Sequence, residues 1–279
     1  MASVARMNNL HNPVSNDRIA KPSWLRWLPA GLPPQRALVT DLMWLHKSMP
    51  TVSQVKTFDL RELQAVREAC PRRISWAIAF LRAYALVAAE YPSLRRTYIS
   101  WPWPHLYEHP EVIGNLVVSR QVNDDNWLFF APIADAENFS LDRQQGLLER
   151  YQSGPVAEVF KNQVRLSHYP HFLRRVLWWL RFNFSPRKRI KRLGTFALTT
   201  VAGQGVTILD PRAPVTTTLT YGPMNDAGQC NVTIAYDHRV MDGKEVASIL
   251  CATERIMQTR ILQEFHELTE QHRSSRQAA

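Results

Sequence analysis

The 279-residue sequence contains no stretch of about eighteen uncharged apolar residues, so no helix of it is expected to span a bilayer. Its three cysteines, Cys70, Cys230 and Cys251, are too few and too scattered for a disulfide framework or a zinc site. That pattern fits a reducing, cytoplasmic setting. The first 17 residues are polar and lack an apolar centre, so no secretory leader is expected. There is no serine-hydrolase elbow and no phosphate loop, and Gly203-x-Gly205 lacks the third glycine of a dinucleotide-binding turn. His168 and His171 have no carboxylate or cysteine close by to complete a ligand set, so neither a metal nor a tightly bound cofactor is expected.

One absence is local. From Lys161 to Arg192 there is no Asp or Glu, while ten residues are basic. The net charge of the chain is +10, so the remainder sums to zero. Nucleic-acid enzymes more often spread their charge over a binding face, and no nucleic-acid partner is expected. Placed on a helix, Phe172, Leu173, Val176, Leu177, Trp179, Leu180 and Phe184 share one broad arc, with Arg174 and Arg181 opposite. A basic tail follows Pro186. Three readings are open. The segment could lie on an anionic membrane surface, peripheral on its inner face. It could dock an acidic acyl-carrier or lipoyl protein. Or its arc could pack on the chain's own domain. Under the first two, the contact residues are Arg174, Arg175, Trp178, Trp179, Arg181, Arg187, Lys188 and Arg189.

What is present suffices for a large core: 45% of residues are hydrophobic. Residues 1–34 read as a polar lead and a Trp/Pro-rich stretch from Pro22 to Pro34, outside the domain. Apolar spacing predicts helices over Arg36–His46, Ile74–Glu90 and Leu141–Gln152, the last capped by Ser140, and a closing helix from Lys244 to about Glu267. Strands are predicted at Val52–Leu60, Tyr98–Trp101, Gly114–Val122, Trp127–Pro132, Thr195–Val201, Pro214–Tyr221 and Asn231–Tyr236. A hairpin turn is expected at residues 123–126 and another turn at Met224–Gly228. The mixed order argues an α/β class with a mixed sheet.

Asp237-His238-Arg239-Val240-Met241-Asp242-Gly243 lies where the last strand hands over to the closing helix. Loops on a rigid scaffold are where catalytic side chains usually sit, and Gly243 should permit a tight backbone turn. Taken alone, these residues fit an ordinary loop histidine as well as a general base. His238-x-x-x-Asp242-Gly243 resembles the active-site signature of the dihydrolipoamide acyltransferase cores of 2-oxo-acid dehydrogenase complexes, which chloramphenicol acetyltransferase shares. Further segments are similar to that family in the same order: Arg36-x-x-Val39-x-x-x-Met43, Phe58-Asp59-Leu60, Tyr91-Pro92-Ser93-Leu94, Pro132-Ile133-Ala134-Asp135-Ala136 and Gly194-Thr195-Phe196-Ala197-Leu198-Thr199.

The resemblance spans roughly residues 35–265, with 161–192 as a basic insertion and 266–279 as a polar tail. It implies a chloramphenicol acetyltransferase-like fold, a homotrimer, and active sites at subunit boundaries. His238 would be the general base from one subunit, and Thr199 the oxyanion donor from its neighbour. Asp242, with Arg36 as its partner, and Gly243 would support the catalytic loop. The activity implied is transfer of an acyl group from a thioester of coenzyme A, lipoamide or a carrier protein to a thiol, hydroxyl or amine. The 34 residues before the domain are too few for a lipoyl module, so this chain is not expected to carry its own lipoyl arm. The alternative is a non-catalytic trimeric scaffold of the same fold.

Overall fold

A computed structural model describes residues 32–122 and 125–277. The N-terminal Trp/Pro-rich stretch, up to residue 31, and the first two residues of the expected hairpin turn, 123 and 124, lie outside the described residues.

Six strands form one mixed sheet, in the order β1-β8-β7-β6-β4-β5. They are β1 (Thr51–Asp59), β4 (Ile113–Val122), β5 (Asp125–Ala134), β6 (Phe196–Leu198), β7 (Thr217–Tyr221) and β8 (Gln229–Asp237). The contacts β4–β6 and β6–β7 are parallel; the remaining pairs are antiparallel. A separate two-stranded ribbon joins β2 (Arg96–Ile99) to β3 (His105–Glu108). This is the mixed α/β architecture that the pattern of elements predicts.

The core forms where sheet and helices meet. Helix α3 (Trp76–Glu90) starts at Ser75, whose hydroxyl accepts from the Ile78 amide, and ten of its residues are buried. Helix α4 (Leu141–Ser153) is capped by Ser140 as predicted. Helix α1 (Pro34–His46) and helix α2 (Arg61–Ala69) flank β1 in sequence. The closing helix runs as α9 (Gly243–Ile256), a π turn at Met257–Ile261 and α10 (Leu262–Gln277). Gly194 enters β6 at φ 78°, and a Cβ there would fall 2.7 Å from the carbonyl oxygens of Ile113 and Phe196, so only glycine fits.

Between α4 and β6 the basic segment folds as α6 (Lys161–Ser167), α7 (His171–Phe184) and α8 (Pro186–Leu193), after a short α5 (Val156–Val159). Helix α7 departs from the usual amphipathic rule: Trp178, Leu177 and Phe182 pack on the core with Arg174 buried beside them, and most of the apolar arc is left outside. Arg174 is buried and donates from Nε to Asp41 Oδ2 of α1 at 2.6 Å and from Nη1 to the Tyr169 carbonyl at 2.7 Å. Asp41 itself is 0% exposed. The arc of Phe172, Leu173, Val176, Trp179, Leu180 and Phe184 faces solvent instead. No helix among the described residues is long and apolar enough to cross a membrane.

Candidate active site

Strand β8 ends at Asp237, and its β-branched, fully paired run delivers the next residue, His238, to the edge of the sheet. The His238 amide donates to the Pro50 carbonyl at 3.0 Å, which ties the loop to the start of β1. The imidazole side chain is 48% exposed, open to a reactant.

What holds this loop is an ion pair within it. The Asp237 carboxylate is 2% exposed and accepts from Arg239 Nε at 2.9 Å and from Nη2 at 2.7 Å, a two-pronged grip. It also accepts from the Arg239 amide at 3.1 Å, and the Arg239 guanidinium lies 4.0 Å above the Tyr98 ring. The loop between β8 and α9 therefore closes on its own first three residues. The sequence motif alone gives this clamp no role. Its signal was present: an acid at the end of a buried strand needs a cation, and Arg239 stands two residues on.

Asp242 takes a different place from the one expected. Its side chain is 85% exposed and sits 3.6 Å from His238 Nδ1, within ion-pair range but longer than a hydrogen bond. Arg36 is exposed on α1 and makes no ion pair with Asp242. The expected anchor pair is thus replaced by Asp237–Arg239, because a buried carboxylate demands a partner and an exposed one is satisfied by water. Gly243 begins α9 with ordinary backbone; a Cβ there would meet the Gln54 amide nitrogen at 2.6 Å, so the glycine spares a contact and no turn depends on it.

Thr199 follows β6, half-buried, with its amide donating to the Leu219 carbonyl at 3.1 Å. Its hydroxyl makes no hydrogen bond to any described residue. The neighbouring Thr200 hydroxyl is already engaged, donating to the Tyr221 carbonyl at 2.9 Å and accepting from the Ala202 amide at 3.1 Å. Thr199 is therefore the free donor of the two.

The register separates Thr199 from His238. Leu219 of β7 pairs with Ile234 of β8, and His238 lies four positions beyond Ile234. At about 3.3 Å per residue and ~4.8 Å per strand, the two residues stand roughly 13 Å apart along the strands and two strands apart across them. Within one protomer they cannot reach the same carbonyl group.

A cavity of about 450 Å³ opens beside the loop on its Arg239 side. Trp44, Met49, Trp179 and Phe182 give it apolar walls; Lys47, Arg189 and Arg239 line it with positive charge, and no acidic residue lines it. Arg189 is buried against the Phe182 ring at 3.9 Å and donates to the Pro214 carbonyl at 3.2 Å. Burial lowers its pKa to about 9. His109, buried nearby, is lowered to about 4 by burial and by the charge of Arg189, so it is neutral at physiological pH.

Several residues predicted to contact a membrane or carrier are not available for it. Arg174, Trp178 and Arg189 are buried, and Arg181 is half-buried beside the Trp178 ring. Arg175 stacks on Trp44 at 4.2 Å and leans toward Asp41. Trp179, Arg187 and Lys188 remain exposed. The reason is Asp41: a fully buried carboxylate draws the Arg174 side of α7 inward, together with Trp178, and leaves the Phe172–Val176–Leu180 side out. His168 directs Nδ1 onto the Val164 carbonyl at 2.8 Å, and no cluster of three metal-ligating side chains occurs among the described residues.

No family model matches the sequence, and no curated protein matches it. Solved structures do match the fold. A probable dihydrolipoamide acetyltransferase from Listeria monocytogenes superposes with a TM-score of 0.60 at 14% identity, covering 83% of this chain and 93% of that one. The dihydrolipoamide acetyltransferase of Azotobacter vinelandii gives 0.60 at 17% identity, over 88% and 98%. That structure was determined in work on the role of a serine, a histidine and an asparagine in its catalytic mechanism. The truncated catalytic core of a 2-oxoacid dehydrogenase multienzyme complex from Thermoplasma acidophilum gives 0.61 at 13% identity, over 83% and 97%. The chain has the fold of these acyltransferase cores, as its motifs led one to expect.

Proposed function

We propose that this chain is an acyltransferase that moves an acyl group from a thioester to a thiol, hydroxyl or amine, with His238 as general base. The observation that carries the reading is an exposed imidazole on a loop clamped by Asp237 and Arg239, at the strand end of an acyltransferase-core fold. The Azotobacter enzyme offers a parallel: the histidine and asparagine studied there are four positions apart, as His238 and Asp242 are here.

In this mechanism the neutral His238 ring accepts the proton of the incoming nucleophile, which attacks the thioester carbonyl. The carbonyl oxygen becomes an oxyanion in the tetrahedral intermediate. The free hydroxyl of Thr199, contributed by a neighbouring protomer, donates to it. Collapse breaks the carbon–sulfur bond, and the histidine returns its proton to the departing thiolate. Asp242 stands 3.6 Å from Nδ1, where it bears on the orientation of the ring. A homotrimer is the assembly proposed, with one site at each boundary.

The test is release of free thiol from acyl-coenzyme A and acyl-dihydrolipoamide, with and without an amine or alcohol acceptor. His238→Ala should lower turnover by about 10²–10⁴ while leaving the fold intact. Retention of activity within tenfold would remove His238 from the mechanism.

A further inference from the structure

The outward face of α7 has no counterpart in the acyl-transfer reading. Phe172, Val176 and Leu180 form a stripe along it, spaced four residues apart, and Phe172 is 70% exposed. At ~1.5 Å per residue the stripe runs about 12 Å. The loop between β2 and β3 extends the surface. Trp101 packs against Phe184 at 4.6 Å and against Trp179 at 6.0 Å between ring centroids, and Trp103 beyond it is 68% exposed. The result is one continuous apolar and aromatic surface built from two separate parts of the chain. Contiguous patches of this kind mark a contact with something other than water.

The charges around the surface select the occupant. Helix α8 follows directly through Ser185 and exposes Arg187 and Lys188, and no acidic residue lies anywhere from 161 to 192. The occupant must therefore accept apolar side chains at its centre and present negative charge at its rim. An acidic carrier protein would be held chiefly by cations, but Arg174 and Arg189 are buried, leaving the centre of the surface apolar. Exposed tryptophans beside an apolar helical stripe, with lysine and arginine adjoining, match the boundary between acyl chains and anionic headgroups.

We infer that α7 and the Trp101–Trp103 loop rest on an anionic lipid bilayer, with the apolar stripe in the acyl-chain boundary and Arg187 and Lys188 at the headgroups. The seating of the helix is what makes this contact possible: the Arg174–Asp41 pair, with Trp178 beside it in the core, fixes one side against the protein and leaves the Phe172–Val176–Leu180 stripe for lipid. The inference is independent of the chemistry at His238, and the experiment keeps the two apart.

The full chain is floated with vesicles of phosphatidylcholine alone and of phosphatidylcholine with phosphatidylglycerol. The wild type should bind the anionic vesicles at least about tenfold more tightly than the neutral ones. Phe172→Ser/Val176→Ser/Leu180→Ser, at exposed positions, should lose most binding, and Arg187→Gln/Lys188→Gln should lose the preference for anionic vesicles. His238→Ala should bind as the wild type does, whatever its activity. Absence of vesicle binding, equal binding to both compositions, or capture of an acidic carrier protein in place of vesicles would overturn the inference. So would a triple variant that binds vesicles normally but splits a homo-oligomer, since a second copy would then be the occupant.

Discussion

Asp237 stands one residue before the catalytic candidate His238 and Asp242 four after it, yet only Asp237 is buried. Its two-pronged bond to Arg239 is made where water cannot compensate a loss, so Asp237→Asn should cost about 3 kcal/mol of stability, read as a shift in the urea midpoint. Asp242→Asn changes an exposed carboxylate and should leave stability within ~0.5 kcal/mol of the wild type. Any loss of turnover in that variant would then report on the orientation of the imidazole and not on folding. The positions of His238 and Thr199 just past strand ends are legible from the strands before them, whereas the roles proposed for them rest on the family resemblance. The division of labour between the two aspartates was not legible, since a carboxylate's role depends on its burial, and burial differs here between residues five positions apart.

At the scale of elements, the arc of α7 was readable from spacing, but not which way it faces. The amphipathic rule assumes that the apolar side turns inward. Here the decision is made by Asp41, 133 residues before Arg174 in sequence and fully buried against it. No local pattern announces that pair. Asp41→Asn should strip Arg174 of its counter-charge and cost about 3–5 kcal/mol. Limited proteolysis within 161–192 should quicken in the same variant, which would localise the damage to this segment. The two long core helices α3 and α4 and the central strands were legible from apolar spacing and caps. Strand β3 was not: Leu106 is its only aliphatic residue and is exposed, so the strand depends on pairing with β2 rather than on a buried face. The closing helix read as continuous, and a π turn at Met257–Ile261 interrupts it.

For the whole molecule, the sheet register carries the main functional consequence. If one protomer supplies His238 and its neighbour Thr199, mixed assemblies of two crippled chains can restore a site. Co-expression of His238→Ala and Thr199→Val in equal amounts should leave about a quarter of the boundaries fully wild type, and activity should recover to about that fraction. Neither variant alone should approach it. Recovery near zero would place both residues' contributions within a single chain, and full activity of Thr199→Val alone would remove Thr199 from the site. If the site is shared in this way, the separation of Thr199 from His238 would also couple catalysis to mass action. On the proposed shared site, a lone protomer would bring His238 without a neighbour's Thr199, so specific activity should fall on dilution and return on concentration. The amount of protein in one place, and not only its fold, then decides whether there is an enzyme at all.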